Sequence, residues 1–149
     1  MLLAQANIGK LKKPLDHPDT KEFKDGLEGM YALAESSPGF VWRVQSNYDT
    51  DEPRPYDRSI LITLSVWESV DSLKGFVYKS HHAHFVSRRK NWFEPLDGPH
   101  LVLWWIPKDT MPTIWDVKER LDHLANNGVT EFAFTFQHQF PQPNLSPLD

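Results

Sequence analysis

Three histidines lie close together in the segment YKSHHAHFVSRRKNWF, which covers residues 78–93. Histidine is the side chain most readily used for proton transfer or metal binding near neutral pH. If the segment is one helix, a projection at about 100° per residue places His82 and Arg89 in the apolar stripe that contains Phe85. We therefore expect these two polar side chains to point inward, with His81 at the flank of the stripe.

Arg89 needs a partner on an inward face, because a buried guanidinium is costly when it is unpaired. No acidic residue lies three or four positions from Arg89, so its partner is distant in sequence, a backbone carbonyl or an anionic ligand. Structural roles remain open for both residues, with His82 as a hydrogen-bonded core histidine and Arg89 as a carbonyl donor. The functional hypothesis is that His82 acts as general acid or base and Arg89 holds an anionic group.

A metal site formed by protein side chains alone has weak support in the sequence. His81 and His84 have the i, i+3 spacing that can bring two imidazoles towards one ion, but a third ligand is missing nearby. The chain has no cysteine, which excludes thiolate metal sites and cysteine nucleophiles. It also has no phosphate loop, dinucleotide fingerprint or GxSxG motif. We therefore predict no metal.

Length and composition limit the class of protein. A chain of 149 residues suits one domain, which we place at residues 1–140, followed by an irregular tail at residues 141–149. The net charge of −4 and the lack of a basic stripe argue against a nucleic-acid partner. No apolar run is long enough to span a bilayer, and the N-terminus does not resemble a signal peptide. We expect a cytoplasmic protein with no membrane partner.

The spacing of apolar residues predicts an α+β fold with the element order β-α-β-β-α-β and an added C-terminal α-β. The first six elements are those of a ferredoxin-like split βαβ domain. The strand at residues 100–107 is apolar on both faces, which predicts that a second subunit's sheet covers one face in a homodimer. The other predicted strands are residues 2–9, 39–45, 59–67 and 130–136, and the predicted helices begin near Phe23, Val70 and Ile114.

Polar residues alternate with apolar ones on three of these strands, as expected for the floor of a pocket. We predict that Phe40, Trp42 and Val44 share one face of the second strand. For any single tryptophan, core or dimer packing is the alternative to a place in a pocket. The predicted polar floor consists of Gln5, Asn7, Arg43, Thr63 and Ser65, framed by Trp42, Trp67, Trp104 and Trp105.

A resemblance to a known family adds to this interpretation. The segments ITLSVWESVDSLKGFVYKSHHAHFVSRRKNWF, HLVLWWIP and GVTEFAFTF resemble the DUF3291 proteins of the dimeric α+β barrel superfamily. That superfamily also contains antibiotic-biosynthesis and haem-degrading monooxygenases. The resemblance implies a dimeric α+β barrel that binds a small, often aromatic molecule between sheet and helices. It implies that no cofactor is needed where the substrate itself reacts with oxygen.

The haem-degrading members suggest a second hypothesis. Asn7 matches the asparagine at the end of their first strand, and Phe76 stands where they carry a tryptophan. His82 matches their axial histidine if a gap of two residues is allowed. This resemblance implies haem as the alternative cofactor, with His82 as its ligand.

Two classes of function therefore remain open: an enzyme resembling a monooxygenase or isomerase, and a non-catalytic module that binds or senses a ligand. In the enzyme, the predicted catalytic residues are His82, Arg89 and Asn7. Arg43 is an alternative to Arg89 for holding an anionic group. The predicted ligand-binding residues are Trp42, Arg43, Thr63, Ser65, Trp67, Phe76, His81, Phe85 and Trp104.

Overall fold

The computed structural model describes residues 1–45, 53–79 and 90–143, and the structural statements below concern these residues. None of their helices is long and apolar enough to cross a membrane. The elements, in chain order, are β1 (Leu2–Leu11), α1 (Lys21–Glu35), β2 (Phe40–Arg43), β3 (Ile60–Trp67), α2 (Val70–Lys79), β4 (Phe93–Glu94), β5 (Leu101–Ile106) and α3 (Ile114–Asn127).

The strands form one antiparallel sheet with β1 at its centre. β1 pairs with β3 on one side and with β5 and the short β4 on the other, and β2 lies outside β3. The order β2-β3-β1-β5 is that of a ferredoxin-like split βαβ domain, so the predicted α+β class is confirmed. The predicted final strand is wrong, because the described residues after α3, 128–143, form only two isolated bridges, Leu103 with Phe134 and Thr130 with Ala133.

Side chains alternate between the two faces of the sheet, and each face has its own apolar core. On one face, Ala4, Leu64 and Trp104 pack with Val117 and Leu121 of α3. The other face lies against α1 and α2, where the buried residues form two clusters. These clusters are Leu3, Ala34, Trp67, Leu73, Leu103 and Phe134, and Leu11, Phe23, Leu61, Trp92 and Phe93.

The helix α3 covers the face that we expected a second subunit to cover. A capping box fixes its start, with Thr113 Oγ1 accepting from the Asp116 N–H and the Asp116 carboxylate accepting from the Thr113 N–H. Trp104 is only 1% exposed in the single chain, so no partner subunit is required to bury it. The reason we gave for a dimer through the sheet is therefore wrong for this face. The homodimer itself stays a prediction.

A bulge in β2 changes which side chains share a face. Phe40 pairs with Trp67 and Trp42 pairs with Val66, with a register shift between the two pairs. One extra residue in a strand reverses the facing of the residues on one side of it. Phe40 and Arg43 therefore lie on the α1–α2 face, whereas Trp42 packs on the α3 face, and the prediction that Phe40 and Trp42 share a face is wrong.

Candidate functional site

A cavity of about 520 Å³ lies between the sheet and the helices α1 and α2. This volume falls in the range of small-molecule pockets, roughly 300–1,000 Å³. The lining combines aromatic and aliphatic side chains with a few polar ones from the strands. Among the lining residues are Gln5, Asn7, Phe23, Tyr31, Phe40, Arg43, Thr63, Ser65, Trp67, Phe76, Trp92, Phe93 and His100.

The register of β1 with β3 builds the polar floor of the cavity. Asn7 lies opposite Thr63, and Gln5 lies opposite Ser65. Because both pairs are two residues apart along their strands, all four side chains point to the same face. The Thr63 hydroxyl donates to the backbone carbonyl oxygen of Asn7 at 3.4 Å, which leaves the Asn7 carboxamide out of this bond. The result is two adjacent rows of hydrogen-bonding groups in a largely apolar surrounding.

Asn7 offers the floor's unused hydrogen-bonding capacity. Its carboxamide makes no side-chain hydrogen bond to the described part of the chain, although it lines the cavity and is partly buried. A carboxamide carries two N–H donors and an acceptor oxygen. Gln5 uses its Oε1 to accept from Ser65, and its Nε2 has no partner in the described ranges. A ligand oxygen above this floor would therefore find N–H donors.

Aromatic rings form the walls around the floor. Trp67 stacks on Phe76 with centroids 5.2 Å apart, and Phe40 meets Trp67 edge-on at 5.4 Å. On the other side, Phe23 contacts Phe93 at 5.0 Å and Trp92 at 5.4 Å. Such rings favour flat apolar ligands, which they can contact by stacking or edge-on.

Arg43 lies at the rim of the cavity, with a side chain that is 16% exposed. Its Nε donates to Glu35 Oε1 at 2.7 Å, and one terminal nitrogen donates to the Val44 carbonyl at 3.2 Å. The guanidinium lies 4.0 Å from the centre of the Tyr31 ring, close enough for a cation–π contact. Arg43 is thus held at a fixed place beside the cavity.

Six of the predicted site residues lie together around this cavity: Asn7, Arg43, Thr63, Ser65, Trp67 and Phe76. Trp42 and Trp104 pack on the opposite face of the sheet, so the prediction that they line the same pocket is wrong. The bulge in β2 explains the position of Trp42. Trp104 pairs with Ala4, whose side chain faces α3. The predicted residues His81, His82, Phe85 and Arg89 lie outside the described residues.

His100 also lines the cavity, although it was not among the predicted site residues. It directly precedes β5, where Leu101 is the register partner of Asn7. The backbone carbonyl of His100 accepts from the Ile8 N–H at 2.9 Å, which holds this position beside the polar floor. The predicted antiparallel pairing of this strand with β1 could have indicated His100, because it brings the start of the strand next to Asn7.

A metal centre finds no support in the described parts of the chain, where no cluster of three histidine, cysteine, aspartate or glutamate residues could hold an ion. The haem hypothesis depends on His82, which lies outside these ranges. It therefore stays a prediction.

Comparison with known proteins identifies the family and the fold. The family model for a domain of unknown function, DUF3291, matches residues 2–148. Among curated proteins, none matches the sequence.

Three solved structures share the fold at low identity. The first is a candidate antibiotic biosynthesis monooxygenase from Nitrosomonas europaea, with 13% identity, a TM-score of 0.52 and coverage of 74% of this chain and 94% of the other. A variant of SnoaB, a cofactor-independent oxygenase from Streptomyces nogalater, has 13% identity, a TM-score of 0.50 and coverage of 75% and 98%. The protein of unknown function NE2512 from Nitrosomonas europaea has 11% identity, a TM-score of 0.51 and coverage of 75% and 95%.

Proposed function

This chain belongs to the DUF3291 family, and we propose that it binds a small aromatic molecule in the cavity and oxidises it without a cofactor. The observation that carries the proposal is the cavity of about 520 Å³, which joins aromatic walls to a polar floor containing Asn7. The fold shared with the cofactor-independent oxygenase SnoaB supports the same chemistry. The walls would hold the rings of the substrate, and the floor would hold a phenolic oxygen.

The cavity suits a reaction in which the substrate supplies the electrons. A phenol that loses its proton becomes a phenolate, which can transfer an electron to dioxygen. The two radicals then combine, which forms a carbon–oxygen bond at the para carbon. The resulting peroxide anion takes back the proton that the phenol lost, and loss of water from this hydroperoxide gives a quinone. For 1-naphthol as a test substrate, one naphthol and one dioxygen give one 1,4-naphthoquinone and one water.

The residues have distinct roles in this proposal. The Asn7 amide N–H groups donate to the phenolate oxygen, which stabilises the anion in a cavity of low dielectric constant. A histidine accepts the phenolic proton. His82 is the residue predicted from the sequence for this role, and His100 is the histidine that lines the cavity among the described residues. Single His82→Ala and His100→Ala variants distinguish the two.

The experiment follows oxygen consumption and quinone absorbance with 1-naphthol in the presence of a metal chelator. We expect turnover by the wild type, a rate lower by roughly ten- to a hundredfold in Asn7→Ala, and almost no activity in the cavity-filling variant Thr63→Phe. The matched control is Asn126→Ala, which changes an exposed asparagine on α3 and should keep the wild-type rate. If naphthol binds but is recovered unchanged, the enzyme proposal is wrong and the protein is a non-catalytic binding module.

The homodimer and the cytoplasmic location also belong to this proposal. Because α3 covers one sheet face, we propose that the dimer uses another surface. Light scattering of the purified protein at micromolar concentration measures the mass directly. A stable monomer would remove the dimer from the proposal without affecting the cavity.

A further inference from the structure

A second concave surface adjoins the cavity. Its volume is about 660 Å³, and it shares Leu27, Tyr31 and Arg43 with the aromatic cavity. We call it the vestibule. The charged residues of the vestibule are five cations, Lys12, Lys13, Lys24, Arg43 and Arg58, and two carboxylates, Asp16 and Glu28.

The charge of the vestibule is opposite to that of the whole chain. The protein has 20 acidic and 16 basic residues, with a net charge of −4, yet the vestibule collects five of the basic ones and two of the acidic ones. A concave surface lined mainly by one sign of charge concentrates ions of the other sign. The vestibule is therefore suited to an anion, although the net charge of the whole chain is negative.

Two of the five cations already have carboxylate partners outside the vestibule. Lys13 pairs with Asp19, and Arg43 pairs with Glu35. Lys12 donates to the Lys90 carbonyl oxygen at 2.6 Å, an uncharged acceptor that leaves its positive charge in place. Lys12 and Lys24 form no ion pair with any described residue. Lys12 and Lys24 are therefore vestibule cations that no described carboxylate pairs, and their charge can attract a ligand anion.

We infer that the ligand is an amphipathic anion, with aromatic rings in the cavity and a carboxylate, sulfonate or phosphate group in the vestibule. This inference rests on the proposed function and adds the substrate class to it. Arg43 lies where the two spaces meet, and its bonds to Glu35 and Val44 leave N–H groups that can donate to an anionic oxygen. The same residue would thus define the boundary between the two parts of the ligand.

Two fluorescent probes with nearly the same rings test the inference. One is 1-anilinonaphthalene-8-sulfonate, which is anionic, and the other is N-phenyl-1-naphthylamine, which lacks the sulfonate. We expect the anionic probe to bind at least about fivefold more tightly, and added salt to weaken only that probe. Competition with 1-naphthoate and 1-naphthyl phosphate then shows which anionic group is preferred.

The variant Lys12→Gln/Lys24→Gln removes two charges of the vestibule that form no ion pair with a described residue. It should weaken the anionic probe about five- to tenfold and change the neutral probe by less than about twofold. Lys108→Gln/Lys118→Gln removes the same charge near α3 and should change neither, and circular dichroism checks the fold of both variants.

The outcomes separate the two proposals. Equal binding of the two probes by the wild type, or equal losses in the two double variants, overturns the anionic ligand and leaves the aromatic cavity in place. If neither probe binds, or if Thr63→Phe does not weaken either of them, both the cavity proposal and this inference are wrong.

Discussion

The indole N–H of Trp67 donates to Ser65 Oγ at 2.9 Å, and the Ser65 hydroxyl donates in turn to Gln5 Oε1 at 2.8 Å. Trp67 is fully buried, and Phe40 and Phe76 pack against its ring. The small side chain of Ser65 therefore satisfies a buried N–H and fixes the aromatic wall relative to the polar floor. This relationship ties the shape of the cavity to the register of β1 with β3.

Ser65→Ala should lower the free energy of unfolding by about 1–3 kcal/mol, because it leaves the Trp67 N–H and the Gln5 carbonyl without their partner. Urea unfolding followed by tryptophan fluorescence measures the change. Ser36→Ala is the control, since Ser36 is exposed and its hydroxyl donates to the Leu33 backbone carbonyl at a helix end. If both variants lose the same free energy of unfolding, the hydrogen bonds that link Trp67, Ser65 and Gln5 do not stabilise the fold more than an exposed hydroxyl does.

Two glycines give a matched pair for the packing beneath the cavity. A Cβ added at Gly9 would lie 2.5 Å from Phe93 Cε1, whereas a Cβ at Gly29 on α1 meets nothing within 4 Å. Gly9→Ala should therefore destabilise by about 1–3 kcal/mol through overpacking. Gly29→Ala should stabilise by about 0.5–1 kcal/mol through helix propensity. Thermal unfolding of both variants checks the opposite signs, and a stabilised Gly9→Ala would contradict the packing of Phe93 on β1.

The polar floor was predictable because the middle of β1, from Ala4 to Ile8, and the middle of β3, from Ile62 to Val66, alternate between polar and apolar residues. That pattern fixes the facing of each residue, so Asn7 and Thr63 fall on one side and their apolar neighbours on the other. The bulge in β2 has no comparable signal in the sequence. The residues around it are of the same types that a regular strand would contain. Sequence alone therefore placed Phe40 and Trp42 on the same face.

The position of α3 was not predictable for a different reason. Its apolar stripe, with Val117, Leu121 and Leu124, shows that the helix packs against something apolar, but not against which surface. A partner's sheet and the chain's own helix bury the same strand residues and leave the same pattern in the sequence. His100 was missed because a single polar residue before a strand has no periodicity to detect.

Tyr56 should make the protein less stable at alkaline pH. It packs on the face of the sheet that α3 covers. Burial, followed by the negative charge of Asp122, raises the pKa of Tyr56 from 10.0 to about 12. A raised pKa means that the fold favours the protonated phenol, so this contribution is complete below pH 10 and is lost as the pH rises through about 12. Tyr56→Phe should remove this part of the alkaline loss of stability.

Ultraviolet titration of the tyrosines measures the Tyr56 pKa directly. The wild type should show one phenol that ionises about two pH units above a free tyrosine, and this step should be missing in Tyr56→Phe. Tyr78→Phe is the control, because Tyr78 is 87% exposed. A late step that persists in Tyr56→Phe would assign it to another residue.

The capping box at the start of α3 should stabilise the helix that packs on one face of the sheet. Thr113→Ala removes the hydroxyl that accepts from the Asp116 N–H, which exposes an unpaired donor at the helix start. We expect a loss of about 1 kcal/mol in the free energy of unfolding and faster hydrogen exchange in the first turn of α3. Thr110→Ala is the control, because Thr110 is exposed and lies before the helix.

Because α3 buries the face that contains Leu64 and Trp104, Thr113→Ala should also bind more of an apolar dye near its unfolding midpoint. Unchanged exchange in the first turn would show that packing of Val117 and Leu121, rather than the cap, holds the helix start in place.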